Sequence, residues 1–188
     1  MRLRILASLT VLAALSAFPG KVRAQFYSTG EDPSGINWFS SDTQNYRIIF
    51  PEGLDSLSRI YAGALEQWRI PVSRSCGFVP NGKFKGKMPV LLHPFTALAN
   101  GMVRWLPRGM ELYTVYEADN PSLLKWEKQL AIHEGRHAAQ LQAGRGAAHY
   151  LLGELSEGLW VGLYPNIAFL EGDAVVAETG SARNGLPG

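Results

Sequence analysis

The sequence predicts an α+β domain in which a small N-terminal mixed sheet is followed by a helical half. Three observations predict it. Short apolar runs with strand character occupy Tyr46 to Phe50, Met88 to His93 and Met110 to Tyr116. A helix-spaced stretch separates the first run from the second, and helical spacing takes over from Ser122 onward. Taken in order, the first strand closes at Pro51-Glu52-Gly53, and Leu54, Leu57, Ile60, Tyr61, Leu65 and Trp68 recur at helical spacing. Pro71 removes a backbone donor, so this helix is expected to stop near Arg69. Asn81-Gly82 and Gly86 mark a turn. A helix is expected over Ser122 to Gln142, with Asn120 as its cap and Pro121 in its first turn. Another is expected over Tyr150 to Leu163, and a last one from Pro165 through Glu178. Residues 25–45 read as an irregular lead-in rich in Ser, Gly, Asp and Asn, and residues 181–188 as a flexible Gly/Ser/Pro-rich tail. The folded domain is therefore expected over 46–180, a length suited to one core.

The first 24 residues have the outline of a secretory signal peptide. Arg2 and Arg4 precede an apolar run from Ile5 to Phe18, Pro19-Gly20 breaks it, and Val22-Arg23-Ala24 offers a small residue for cleavage before Gln25. The run is shorter than the ~18–20 apolar residues that a membrane span needs. An exported protein, periplasmic or extracellular, with no membrane span after cleavage is the expectation. Of the 18 basic residues, Arg2, Arg4, Lys21 and Arg23 fall in this segment, which leaves 14 against 16 acidic ones and a mature charge near −2. The basic balance thus gives no reason to expect a nucleic-acid partner. Cys76 is the single cysteine, so no internal disulfide can form and a four-cysteine metal site is excluded. Any metal must be held by His and carboxylate.

Such a set is present in Leu130-Ala-Ile-His133-Glu134-Gly135-Arg136-His137-Ala-Ala-Gln140, an H-E-x-x-H pattern inside the expected helix. Residues four apart share a helix face, so two imidazoles can reach one zinc ion at about 2.0–2.1 Å while Glu134 stands beside them without binding it. Zinc lowers the pKa of a water toward ~7, and a neighbouring carboxylate can take its proton and deliver it to a leaving amine. The five-letter pattern arises by chance on the order of once in a few hundred chains of this composition. The same letters would also fit a helix whose histidines are satisfied by hydrogen bonds, so a third ligand decides between the two. Glu171, in Phe169-Leu170-Glu171-Gly172-Asp173-Ala174, follows His137 by 34 residues, enough chain to return a later helix against the first. Glu178 lies seven residues on, near the same face, and could bind or orient a ligand in its place. Asp173 and Glu157 are weaker candidates to support the ligands. Gly135 costs helix propensity, which points to a close backbone approach there.

His-Glu-Gly-Arg-His followed by Phe-Leu-Glu-Gly-Asp-Ala resembles the gluzincins, the thermolysin-like or peptidase MA-like metallopeptidases. The resemblance implies a zincin-like fold with one zinc per chain, His133, His137 and Glu171 as ligands, and Glu134 as general base and acid. Trp105-Leu-Pro-Arg-Gly-Met-Glu-Leu-Tyr-Thr114 is similar to the segment before the active-site helix in the N-terminal peptidase domain of large exported bacterial relatives. It implies that Met110, Glu111, Leu112 and Tyr113 form an edge strand on which an extended peptide substrate pairs. Those relatives continue past the third ligand, often into a β-propeller, which makes the tail before Gly188 a candidate truncation point. Such enzymes also carry a Tyr or His that stabilises the oxyanion, and His149 and Tyr150 are candidates by proximity in sequence.

The function expected is that of a zinc-dependent peptidase acting on a peptide or protein substrate. A second class is a zinc-binding but catalytically incomplete relative that binds an envelope or extracellular protein partner. A third is a carbohydrate- or envelope-binding module using Trp38, Trp105, Trp126 and Trp160, although Trp126 and Trp160 sit in helical patterns suited to a core.

Overall fold

The computed structural model describes residues 32–75, 86–116, 118–120, 122–143, 151 and 167–184. The signal segment 1–24, Cys76, Asn81-Gly82, His149, Tyr150, Trp160 and, apart from Leu151, the expected helix 150–163 lie outside them. The fold is mixed α+β. Five strands, β1 (Trp38–Asp42), β2 (Tyr46–Pro51), β3 (Met88–His93), β4 (Gly101–Trp105) and β5 (Arg108–Tyr113), form one sheet in the order β1-β2-β3-β5-β4. The helices are α1 (Asp55–Ser75), between β2 and β3, then α2 (Trp126–Ala143) and α3 (Ile167–Asn184). None of the helices among the described residues is long and apolar enough to cross a membrane.

Strand alternation sets the sheet's inner face. Tyr46, Ile48 and Phe50 on β2, Met88, Val90 and Leu92 on β3, and Met110 and Leu112 on β5 are all buried in one cluster. Register keeps the layers aligned, with Ile48 opposite Val90 and Val90 opposite Met110 in parallel pairs. The outer pairs, β1 with β2 and β4 with β5, are antiparallel. From α1, Tyr61, Ala62 and Leu65 pack on this cluster, and Leu130, Ala131 and Ala138 of α2 join them. Trp68, Val72 and Ile132 form a second buried group where α1 meets α2.

Several elements differ from the sequence expectation. β1 occupies Trp38–Asp42 inside the stretch read as an irregular lead-in; its Trp38 and Phe39 are exposed, so no alternation marks it. β4 was not expected as a strand because it is short and begins on a glycine. α1 runs through Pro71 to Ser75 rather than stopping near Arg69: burial of Trp68 and Val72 on α2 outweighs the lost donor, and the Ser73 hydroxyl donates to the Arg69 carbonyl at 2.6 Å. α2 starts at Trp126 rather than Ser122, because the Asn120 and Ser122 side chains accept from the Ser122 and Leu124 amides at 2.9 and 3.2 Å. α3 continues to Asn184, into the stretch read as a tail.

Glu66 on α1 locks the β1-β2 hairpin to the helix layer. Its carboxylate accepts from the Thr43 hydroxyl, the Asn45 amide and the Asn45 side-chain nitrogen, each at 2.7 Å. Burial alone would raise the Glu66 pKa, but these three donors outweigh it and hold the group below its ordinary value. A depressed carboxylate contributes stability that is present above its unfolded pKa and lost as pH falls through its folded one. Glu66→Gln is therefore expected to destabilise the fold by about 1–2 kcal/mol at neutral pH. In denaturant titrations the gap between wild type and variant should shrink as pH falls through the carboxylate range; a gap independent of pH would show that the charge contributes nothing.

Candidate metal centre

α2 is buried nearly all round: Leu130, Ala131 and Ile132 pack inward, and the polar side chains of Glu134, Arg136 and Gln140 are buried too. Those polar groups need partners. α3 supplies them through its periodicity. Leu170 and Ala174 form the buried stripe of α3. Glu171 and Glu178, seven residues apart, lie along one flank of that stripe, and Asp173 lies on the other.

On the first flank, His133 Nε2 stands 3.2 Å from Glu171 Oε2, His137 Nε2 lies 3.4 Å from the same oxygen, and the two Nε2 atoms are 3.1 Å apart. Three donor atoms from His133, His137 and Glu171 thus lie within 4.8 Å of one another, a set that could hold a metal ion. Their side chains are 20%, 15% and 55% exposed, so the cluster opens to solvent on the Glu171 side. Behind it, the Glu178 carboxylate pairs with His133 Nδ1 and accepts from Gln129 Nε2 at 3.0 Å. The Gln129 oxygen in turn accepts from Asn120 at 2.7 Å. Glu178 therefore orients a histidine and stands outside the three-donor set. Burial works to lower the His133 pKa, but the Glu178 contact and the charges of Glu134, Glu178 and Glu171 outweigh it and raise it to about 9. His137 moves down, through burial and the neighbouring charge of His133.

On the second flank, Asp173 takes two 2.7 Å hydrogen bonds from the Arg136 guanidinium, whose remaining nitrogen donates to the Val72 carbonyl of α1 at 2.6 Å. The Arg136 hydrogen bonds hold the Asp173 pKa below its ordinary value. Asp173 also accepts from Gln140 at 2.6 Å. It supports the site from α3 and does not enter it.

Glu134 is not one of the three donors and lies against the edge of the sheet. It is 2% exposed, its Oε2 has no hydrogen-bond partner among the described residues, and burial pushes its pKa up to about 8. It lies against Gly101 of β4: a Cβ there would fall 2.5 Å from Glu134 Oε1 and 2.8 Å from Cδ, so a larger residue at 101 would push the carboxylate out of this position. Gly135 meets α1 more loosely, since a Cβ there would come 3.4 Å from Val72 Cγ2.

The structure corrects the expected substrate strand. Met110, Glu111, Leu112 and Tyr113 belong to β5, hydrogen-bonded between β3 and β4, and all four are buried. Among the described residues, the edge strand beside α2 is β4. β5 reads as a strand because Met110 and Leu112 alternate with Glu111 and Tyr113, whereas β4, Gly101-Met-Val-Arg-Trp105, has no such alternation. Trp126 packs against the core and donates to the Tyr113 carbonyl at 2.8 Å, as its helical position suggested. Sequence reasoning missed Gln129, Arg136, Gln140 and Gly101. For the first three, the signal is their placement at i−4, i+3 and i+3 from His133 or His137; for Gly101 there is none without the sheet. No family model, curated protein or solved structure matches this chain.

Asp173→Ala should remove the carboxylate that takes two hydrogen bonds from the Arg136 guanidinium, whose side chain is 6% exposed. Chemical denaturation of the metal-free protein is expected to show a loss on the order of 3 kcal/mol. A loss below ~0.5 kcal/mol, the scale of an exposed pair, would show that the clamp does not hold α3 to α2.

Proposed function

We propose that the protein is a zinc-dependent peptidase of the gluzincin type, exported through its N-terminal segment, in which α2 is the H-E-x-x-H active-site helix. The observation that carries this reading is the convergence of two imidazole nitrogens and one carboxylate oxygen from α2 and α3. Two nitrogens and one oxygen are a donor set that zinc accepts while keeping a position open for substrate or water. The hydrogen bonds behind the histidines suit the same role. Each Nδ1 faces an acceptor, Glu178 or Gln140, so in the neutral ring each Nε2 holds the lone pair, His133 releasing its second proton when a cation binds. A zinc ion held there supplies a Lewis acid and makes water acidic near neutral pH.

Glu134 completes the reading. It is adjacent to a ligand without belonging to the donor set, and its unpartnered, dehydrated oxygen is a stronger base than a solvated carboxylate. A divalent cation nearby favours its ionised form at working pH. In peptide hydrolysis Glu134 accepts a proton from the attacking water as the carbon–oxygen bond forms. It then gives that proton to the amine nitrogen as the carbon–nitrogen bond breaks. The exposed side at Glu171 and, among the described residues, the edge position of β4 suit an extended chain alongside α2.

The purified protein is expected to carry about one zinc per chain, and His137→Ala to lose it, as read by metal analysis. Glu134→Gln keeps the shape of the side chain but cannot take the proton. It should retain zinc while cleavage of a mixed peptide library falls ~10²–10⁴-fold. Equal cleavage by both proteins would remove Glu134 from the mechanism. Zinc retention with no cleavage by wild type would favour the zinc-binding, non-catalytic class.

A further inference from the structure

The hydrogen bonds around Gln140 determine which nitrogen of His137 carries its proton. Gln140 lies three residues beyond His137 on α2, is 8% exposed, and makes three polar contacts. Its nitrogen donates to Asp173 Oδ2 at 2.6 Å and to the Leu170 carbonyl at 3.2 Å. Both are acceptors only, so the amide cannot be turned over without setting oxygen against oxygen twice. The Gln140 oxygen therefore faces His137 Nδ1, at 2.9 Å. An amide oxygen only accepts, so Nδ1 must be the N–H, and in the neutral ring the lone pair is at Nε2. That is the nitrogen directed at His133 and Glu171.

We propose that Gln140 is a positioning residue that locks His137 in its Nδ1–H form, with Nε2 turned to the three-donor cluster, and that Asp173 and the Leu170 carbonyl set the Gln140 amide. Both of these anchors belong to α3, the helix that also brings Glu171. Docking of α3 on α2 thus presents the carboxylate donor and fixes the tautomer of the histidine opposite it. In the absence of α3, Gln140 would be free to rotate and His137 free to interconvert. The inference deepens the zinc-peptidase reading, but its first test does not depend on metal.

Long-range ¹H–¹⁵N NMR of the imidazoles in the metal-free protein separates the two tautomers directly. Wild type is expected to show His137 protonated at Nδ1. Gln140→Met, which keeps the volume and removes the acceptor, should shift it toward the Nε2–H form or a mixture. Zinc competition assays on the same proteins should show binding weakened ~10–100-fold in Gln140→Met. An Nε2–H His137 in wild type, or an unchanged tautomer and zinc affinity in Gln140→Met, would overturn the proposal. Should Gln140→Met fail to fold, Gln140→Leu gives the same comparison, and an Nε2–H His137 in wild type overturns the proposal in either case. A wild type with the expected tautomer but no zinc affinity would instead remove the zinc reading.

Discussion

A guanidinium buried among helices has to be paired, and Arg136 stands between the two histidines of α2. Its charge is met by the Asp173 carboxylate of α3 and its remaining donor by the Val72 carbonyl of α1, so one side chain ties three helices at the level of the cluster. Leaving such a cation unpaired costs far more than a surface charge, which makes the docking of α3 close to obligatory once α2 is buried. The consequence reaches the site through helix geometry. With Asp173 fixed on one side of the Leu170–Ala174 stripe, Glu171 and Glu178 on the other side must face His133. One oxygen then meets the open Nε2 edge and the other carboxylate supports Nδ1 from behind.

The sheet contributes a different constraint. Glu134 is carried on the side of α2 that meets β4, and the carboxylate sits where a Cβ at residue 101 would push it out of position. Among the described residues, β4 is also an edge of the sheet. Burial of a carboxylate beside a glycine would be an unexplained cost in a purely structural helix. Under the proposed reading, that burial keeps a proton acceptor strongly basic beside a cation. The dehydrated acid and the solvent-facing donor set thus lie on neighbouring faces of one helix.

What the sequence disclosed follows the range of the interactions involved. The interior strands and α2 announce themselves through local periodicity, and the histidine pair through a four-residue spacing. Glu171 was legible as a candidate because its helix had to return to α2, but whether Glu171 or Glu178 joined the donor set depended on which flank of α3 faced which nitrogen. That is a tertiary fact. β1 and β4 were hidden because edge strands alternate poorly and exist through pairing with their neighbours. Pro71 misled for the opposite reason, since packing of Trp68 and Val72 on α2 overrides a local helix-stop signal. Gln140 and Arg136 read as ordinary polar residues until α3 supplies Asp173.

The central claim is that α2 and α3 together hold one zinc through His133, His137 and Glu171. X-ray absorption at the zinc edge, on protein loaded with one equivalent and dialysed, tests it most directly. The account predicts retained zinc with two imidazole nitrogens and at least one oxygen at about 2.0–2.2 Å in its first shell. A folded protein that releases the metal on dialysis, or a spectrum without imidazole scattering, would contradict it.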